Sequence, residues 1–196
     1  MGALEELQRI GCKLFAADGT SVRLRELVPV FHRWIQSQAV RDHLLIDVAD
    51  YEHVPEGPGV LLAAHQGNFS LDLGRGRMGL AYNRKTTQPG GLAERVRAAL
   101  CAALTACRLL EDDPALTGRL RFRGDELYVF ANDRLHAPNS AATLAGFQPT
   151  MDAIATALYA AGGYQVTAER DPRERFGLRV TAATPLSARQ LLERLA

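Results

Sequence analysis

Arg119-Leu120-Arg121-Phe122-Arg123-Gly124-Asp125-Glu126-Leu127-Tyr128-Val129-Phe130-Ala131 is the stretch that decides the fold reading. With Gly124-Asp125 as a two-residue loop, Phe122 faces Leu127 and Leu120 faces Val129. On the other face Arg121 lies opposite Tyr128, Arg119 opposite Phe130, and Arg123 meets Glu126. An apolar face backs onto a cation–aromatic face, so the spacing predicts a self-consistent β-hairpin. A helix is expected after it over 149–161, where Phe147, Met151, Ile154 and Leu158 form one stripe. Pro149 suits its first position and Gly162-Gly163 ends it.

The same order occurs on either side. A hairpin over 60–82, turning at Gly74-Arg75-Gly76, precedes a helix over 92–110 with the stripe Leu92, Val96, Leu100, Ala103, Cys107 and Leu110. A hairpin over 164–181, pairing Val166 with Leu178 and Ala168 with Phe176, precedes a helix over 185–195. Upstream, Leu4, Leu7, Ile10, Leu14 and Phe15 fall near helical spacing, which predicts a helix over 3–16. Residues 22–36 are apolar but interrupted by Pro29, so they read as short or bent strands, and 44–51 as a further strand. A turn is expected at 55–59. Antiparallel hairpins joined by helices imply one α+β domain over 1–196: a mostly antiparallel sheet with helices on one face. Its hairpin–helix units are 60–110, 119–161 and 164–195.

Composition narrows the function classes. The 196 residues are 47% hydrophobic and 23% charged, enough to bury a core, and the net charge is +1. That charge offers no global attraction to nucleic acid or anionic membrane. Segment 1–15 is amphipathic and carries Glu5, Glu6 and Arg9, unlike a signal peptide, and no apolar run approaches a membrane span. Cytoplasm is the expected compartment. Cys12, Cys101 and Cys107, odd in number and without CxxC spacing, read as free thiols. No residue pattern calls for a cofactor or a metal, and no nucleophile motif or phosphate loop occurs.

Chemistry has three candidate places. In 64–72, His65 interrupts an apolar face, and Gln66, Asn68, Ser70 and Asp72 form a polar ladder able to line a ligand cleft. His65 would act as acid/base with Asp72, because imidazole titrates near neutrality. Asn132 and Asp133 follow a strand, where rigid scaffolding makes a loop useful for ligand binding. The competing readings are a solvated strand face and ordinary Asx turn chemistry, with Asn139 or Ser140 capping a helix. The third place is the face carrying Arg119, Arg121, Tyr128 and Phe130, rich in what interfaces prefer.

The order helix, strands, helix, hairpin, helix is similar to that of partner-binding modules such as bacterial secretion chaperones. Those are usually acidic, and the likeness implies partner binding from fold alone. The expectation is therefore a soluble binding or scaffold protein, self-associating or meeting a protein partner through its Arg–aromatic face. The alternatives are a small hydrolase or isomerase of a small polar ligand built on His65, and single-stranded nucleic-acid binding by the Arg–aromatic face.

Overall fold

The computed structural model describes residues 3–55 and 57–195; of the 55–59 turn, Glu56 lies outside the described residues, as do positions 1 and 2 of the amphipathic N-terminal segment. The class expected from sequence is the class found. Eight strands form one antiparallel sheet, and the helices cover one face of it. The elements in chain order are β1 (Ile10–Ala16), α1 (Leu27–Ser37), β2 (Leu45–Asp50), β3 (Val60–Ala64), β4 (Gly67–Asp72), β5 (Gly79–Arg84), α2 (Leu92–Glu111), β6 (Phe122–Ala131), α3 (Ala141–Tyr159), β7 (Tyr164–Ala168), β8 (Gly177–Ala182) and α4 (Ala188–Leu195). The strands lie in the order β2-β3-β4-β5-β1-β6-β8-β7. Strand, helix, hairpin, helix thus occurs twice, as β1-α1-β4-β5-α2 (with β2 and β3 inserted) and β6-α3-β7-β8-α4. The two halves meet where β1 pairs antiparallel with β6.

Four expectations are corrected. The helix expected over 3–16 is a short 3-10 turn at Ala3–Glu5 followed by β1. Ile10, Cys12 and Leu14 face the helices, and Lys13 and Phe15 are buried on the other side. A central strand buried on both faces shows no alternation, so Ile10, Leu14 and Phe15 together with Leu4 and Leu7 imitate a helical spacing. With a strand here, the order on which the likeness to secretion chaperones rested is absent. Residues 27–37 are α1, not strand, because Pro29 sits in the first turn, where its missing N–H costs nothing. The hairpin expected over 119–131 does not form. Residues 122–131 are one strand pairing with β1 and β8, and Gly124 is a point of close backbone approach, not a turn. His65-Gln66, taken as strand, is the turn between β3 and β4.

The hairpins at β4–β5 and β7–β8 do form, each two residues out of the expected register: Leu71 pairs with Leu80 where its match is expected at Met78, and Val166 pairs with Val180. A slip of two keeps every side chain on its face, so face matching alone cannot detect it. α3 begins at Ala141, eight residues before Pro149, and is capped by Ser140, whose hydroxyl accepts from the Thr143 N–H. The α2 and α3 stripes are buried as expected, except Leu92, which is half-buried at the start of α2, and Trp34 lies in the core. The three cysteines are free thiols, Cys12 and Cys107 buried. Among the described residues no helix is long and apolar enough to cross a membrane.

Candidate functional site: the open face of the sheet

The face without helices is laid out in two adjacent rows. Ser70, Ala81, Lys13, Tyr128 and Arg179 stand side by side across β4, β5, β1, β6 and β8. Two residues further along each strand come Asn68, Asn83, Gly11, Phe130 and Gly177. Glycines let the large side chains of the centre lie flat. A Cβ on Gly11 would stand 2.3 Å from the Phe130 ring, one on Gly177 2.1 Å from the Tyr128 hydroxyl, and one on Gly79 2.6 Å from the Lys13 side chain. Strand glycines of this kind mark close approach. Here they keep the floor low.

Phe15, Tyr128 and Phe130 form an apolar cluster separate from the main core, each 5% exposed or less. Guanidinium groups cover them in place of helices. The Arg175 guanidinium carbon lies 3.5 Å from the Phe130 ring centre, Arg77 4.1 Å from Phe15, and Arg179 5.1 Å from Phe15 and 5.8 Å from Tyr128. Such contacts contribute most where water is excluded. Arg175 is held by Asn132, and Arg77 and Arg179 are anchored by Glu126. It accepts from Arg77 at 2.6 and 2.7 Å and from Arg179, with Arg123 at 3.9 Å. The Arg77 bonds hold the Glu126 carboxyl below its ordinary pKa, against the opposing effect of burial.

Lys13 is the buried cation at the centre. Its ammonium donates to Asp72 Oδ1 at 2.6 Å, the Gly74 carbonyl at 3.1 Å and the Arg77 carbonyl at 2.8 Å, which uses all three protons. Burial pulls its pKa down, and the Asp72 carboxylate opposes that pull. Asp72 also accepts from the Gly74 N–H at 2.8 Å, so the β4–β5 turn is clamped to the sheet centre.

Above this floor is a cleft of about 570 Å³. The segment after β2 walls one side with Gly57 and Pro58. Arg134 and the β7–β8 loop, through Glu174 and Arg175, wall the other. These two segments are tied to each other. Asn132 donates to Asn83 at 2.5 Å and accepts from Arg175 at 2.8 Å, Arg134 donates to the Arg173 carbonyl, and Asn139 to the Asp171 carbonyl. The described lining carries four cations (Lys13, Arg134, Arg175, Arg179) against two carboxylates (Asp72, Glu174), a surplus of two positive charges on a chain of net +1.

Ser70 and Asp72 of the expected ladder line this cleft, and Asn132 holds two of its residues in place. Asn68 sits one row out; its side-chain carbonyl oxygen is buried without a hydrogen-bond partner among the described residues. Gln66 instead accepts from the Leu44 and Lys85 backbone, pinning the β3–β4 turn. Asp133 caps its own loop, accepting from the Leu135 and His136 N–H groups and from the His136 ring. His65 is exposed in that β3–β4 turn, about 17 Å along β4 from Asp72. The structure does not bring these two together. Tyr128 and Phe130 lie on the open face, but Arg119 and Arg121 precede β6 and do not stand opposite them. Arg119 pairs with Glu26 at 2.9 Å, and Arg121 is exposed. The expected Arg–aromatic face thus exists with different arginines. Sequence reasoning also missed Lys13, Phe15 and Glu126, although Gly11, Gly79 and Gly177 inside strand-like runs were available as a signal.

Among the described residues no group of three or more His, Cys, Asp or Glu side chains is placed to hold a metal ion. No family model, curated protein or solved structure matches the chain.

Proposed function

We propose that this is a binding protein whose small-molecule ligand seats in the cleft on the open sheet face. The observation that carries the reading is the cleft itself, about 570 Å³ over a rigid floor, within the range of small-molecule sites. Its charged groups are committed to one another: Lys13 to Asp72 and two carbonyls, Arg77 and Arg179 to Glu126. Groups fixed in this way present a charge pattern and do not shuttle protons. The hydrolase or isomerase reading needs His65 beside Asp72, Asn132 and Asp133, and those side chains stand apart. Self-association through Tyr128 and Phe130 loses its anchors, because both rings are covered within one chain.

The test is melting temperature against a panel of small aromatic alcohols, amines, carboxylates and phosphates, for the natural chain and for Ala81→Trp. Ala81 lines the middle of the cleft, and an indole there fills it. At least one probe class is expected to raise the melting temperature of the natural chain and not of A81W. Ser70→Phe, from the next strand, repeats the test if A81W does not fold. No shift with any class, or equal shifts in natural and filled chains, overturns the reading.

A further inference from the structure

We infer that the group recognised in this cleft is an oxyanion, the carboxylate or phosphate ester of a small organic molecule, held by Arg179 with Arg134 at the rim. The inference rests on the binding reading above and names its ligand class. Three observations support it. The lining concentrates a surplus of two positive charges in a concavity, although the chain as a whole is nearly neutral. A concave, low-dielectric wall with a surplus of one sign raises the local concentration of the opposite charge. Next, the cationic groups differ in what they have left to give. Lys13 has donated every proton and supplies field only. Arg179 gives Nη1 to Glu126, and a guanidinium carries five N–H groups in a planar fork that matches carboxylate and phosphate oxygens. Third, the Arg179 guanidinium is tethered to Glu126 and lies over the Phe15 and Tyr128 rings, so less rotamer entropy remains to be lost when an anion binds. Arg134 is exposed at the mouth, bonded to the Arg173 carbonyl, where a charge steers an incoming anion.

The experiment is calorimetric titration with four probes that share one ring: phenyl phosphate, benzoate, benzyl alcohol and benzylamine. Phenyl phosphate or benzoate should bind the natural chain, more weakly as salt is raised, and benzyl alcohol and benzylamine should not. Arg179→Gln should weaken anion binding roughly tenfold or more, the loss of a charge-assisted bond. Arg134→Gln should weaken it less and mainly slow association; being at the surface, it keeps the test valid if R179Q is unstable. Arg189→Gln, an exposed cation on α4 away from the sheet face, should leave binding unchanged. Benzyl alcohol or benzylamine binding as tightly as the anions, and lost in A81W, overturns the oxyanion assignment and leaves the binding reading standing. Anion binding unchanged in both R179Q and R134Q also overturns the assignment. No probe bound by the natural chain overturns both.

Discussion

The two faces of this sheet are buried by opposite means, and β6 takes part in both. Leu127, Val129 and Ala131 point into the main core beneath the helices, and Glu126, Tyr128 and Phe130 point to the other side. The covered face is sealed by whole helices and tolerates no shift of backbone. The open face is sealed by arginine side chains, Arg77 and Arg179 held on Glu126 and Arg175 on Asn132, so its cover is made of tethered side chains and not of backbone. The same fraction of burial therefore means a wall of whole helices on one side and a wall of paired side chains on the other. That difference is why the cleft lies where it does.

Adding a side chain to a glycine on each face gives the largest contrast. A Cβ on Gly124 would stand 1.5 Å from the Leu186 carbonyl oxygen, in the backbone leading into α4. Gly124→Val should leave no soluble folded chain, a loss above about 4 kcal/mol, since backbone has to move. The three atoms nearest a Cβ on Gly11 all belong to side chains, of Phe130 and Asn83. Gly11→Val should fold, lose about 1–3 kcal/mol, and fail to bind the aromatic probes because Phe130 is forced up into the cleft. Expression and thermal denaturation decide it; G124V as stable as G11V would erase the distinction between the faces.

Neighbouring residues of β6 provide the next test. Leu127→Ala opens a cavity in the core and should cost about 3 kcal/mol at every pH. Glu126→Gln leaves Arg77 and Arg179 without their carboxylate and should cost about 2 kcal/mol at neutral pH, moderated because both arginines are partly exposed. The folded pKa of Glu126 is depressed, so its stabilisation is present above its ordinary value of 4.5 and is lost as pH falls through the lower folded value. The gap between natural chain and E126Q should therefore close in acid while that for L127A stays open. Urea denaturation at neutral and acid pH reads both; a gap that persists in acid would show that Glu126 acts by packing.

The covered face was legible in the sequence and the open one only in part. The stripes Val96, Leu100, Ala103, Cys107 and Phe147, Met151, Ile154, Leu158 are helical because one side of each helix meets water, which leaves the periodicity visible. β1 has no such side. Cys12 and Leu14 are buried on one face and Lys13 and Phe15 on the other, so both the strand and the buried lysine escaped the reading. The ladder Ser70 and Asp72 was visible because strand alternation exposes polar residues on the open face. What closes over it was not: Arg175 and Arg179 reach Phe130 and Phe15 from other elements, and Arg77 is carried in by the β4–β5 turn. Such pairings are set by sheet order, which is non-local. Gly124, Gly11 and Gly177 are of one kind: each is a strand glycine that admits a neighbour, and local pattern alone does not separate that role from a turn.

The smallest effect belongs to His136, one of two anchors that hold the N-terminal segment from either side. On the helix side, buried Arg95 donates to the Leu7 carbonyl at 2.7 Å and the Glu5 carbonyl at 2.6 Å. At the loop that lines the cleft, His136 meets Asp133 at 2.8 Å and Glu6 at 3.5 Å. The Asp133 hydrogen bond raises the His136 pKa above its ordinary 6.5. A raised folded value means the stabilisation is complete below 6.5 and disappears as pH rises through the folded pKa. The natural chain should therefore melt slightly above His136→Gln near pH 6 and coincide with it near pH 9. Arg95→Gln should lower the melting temperature much more, and equally at both, because a guanidinium stays charged throughout. The contrast follows from where the two anchors sit: a buried donor to backbone carbonyls keeps its worth whatever the solvent does, and a half-exposed imidazole between carboxylates keeps it only while protonated. A His136→Gln difference that persisted near pH 9 would mean that the ring holds Glu6 by contact and not by charge.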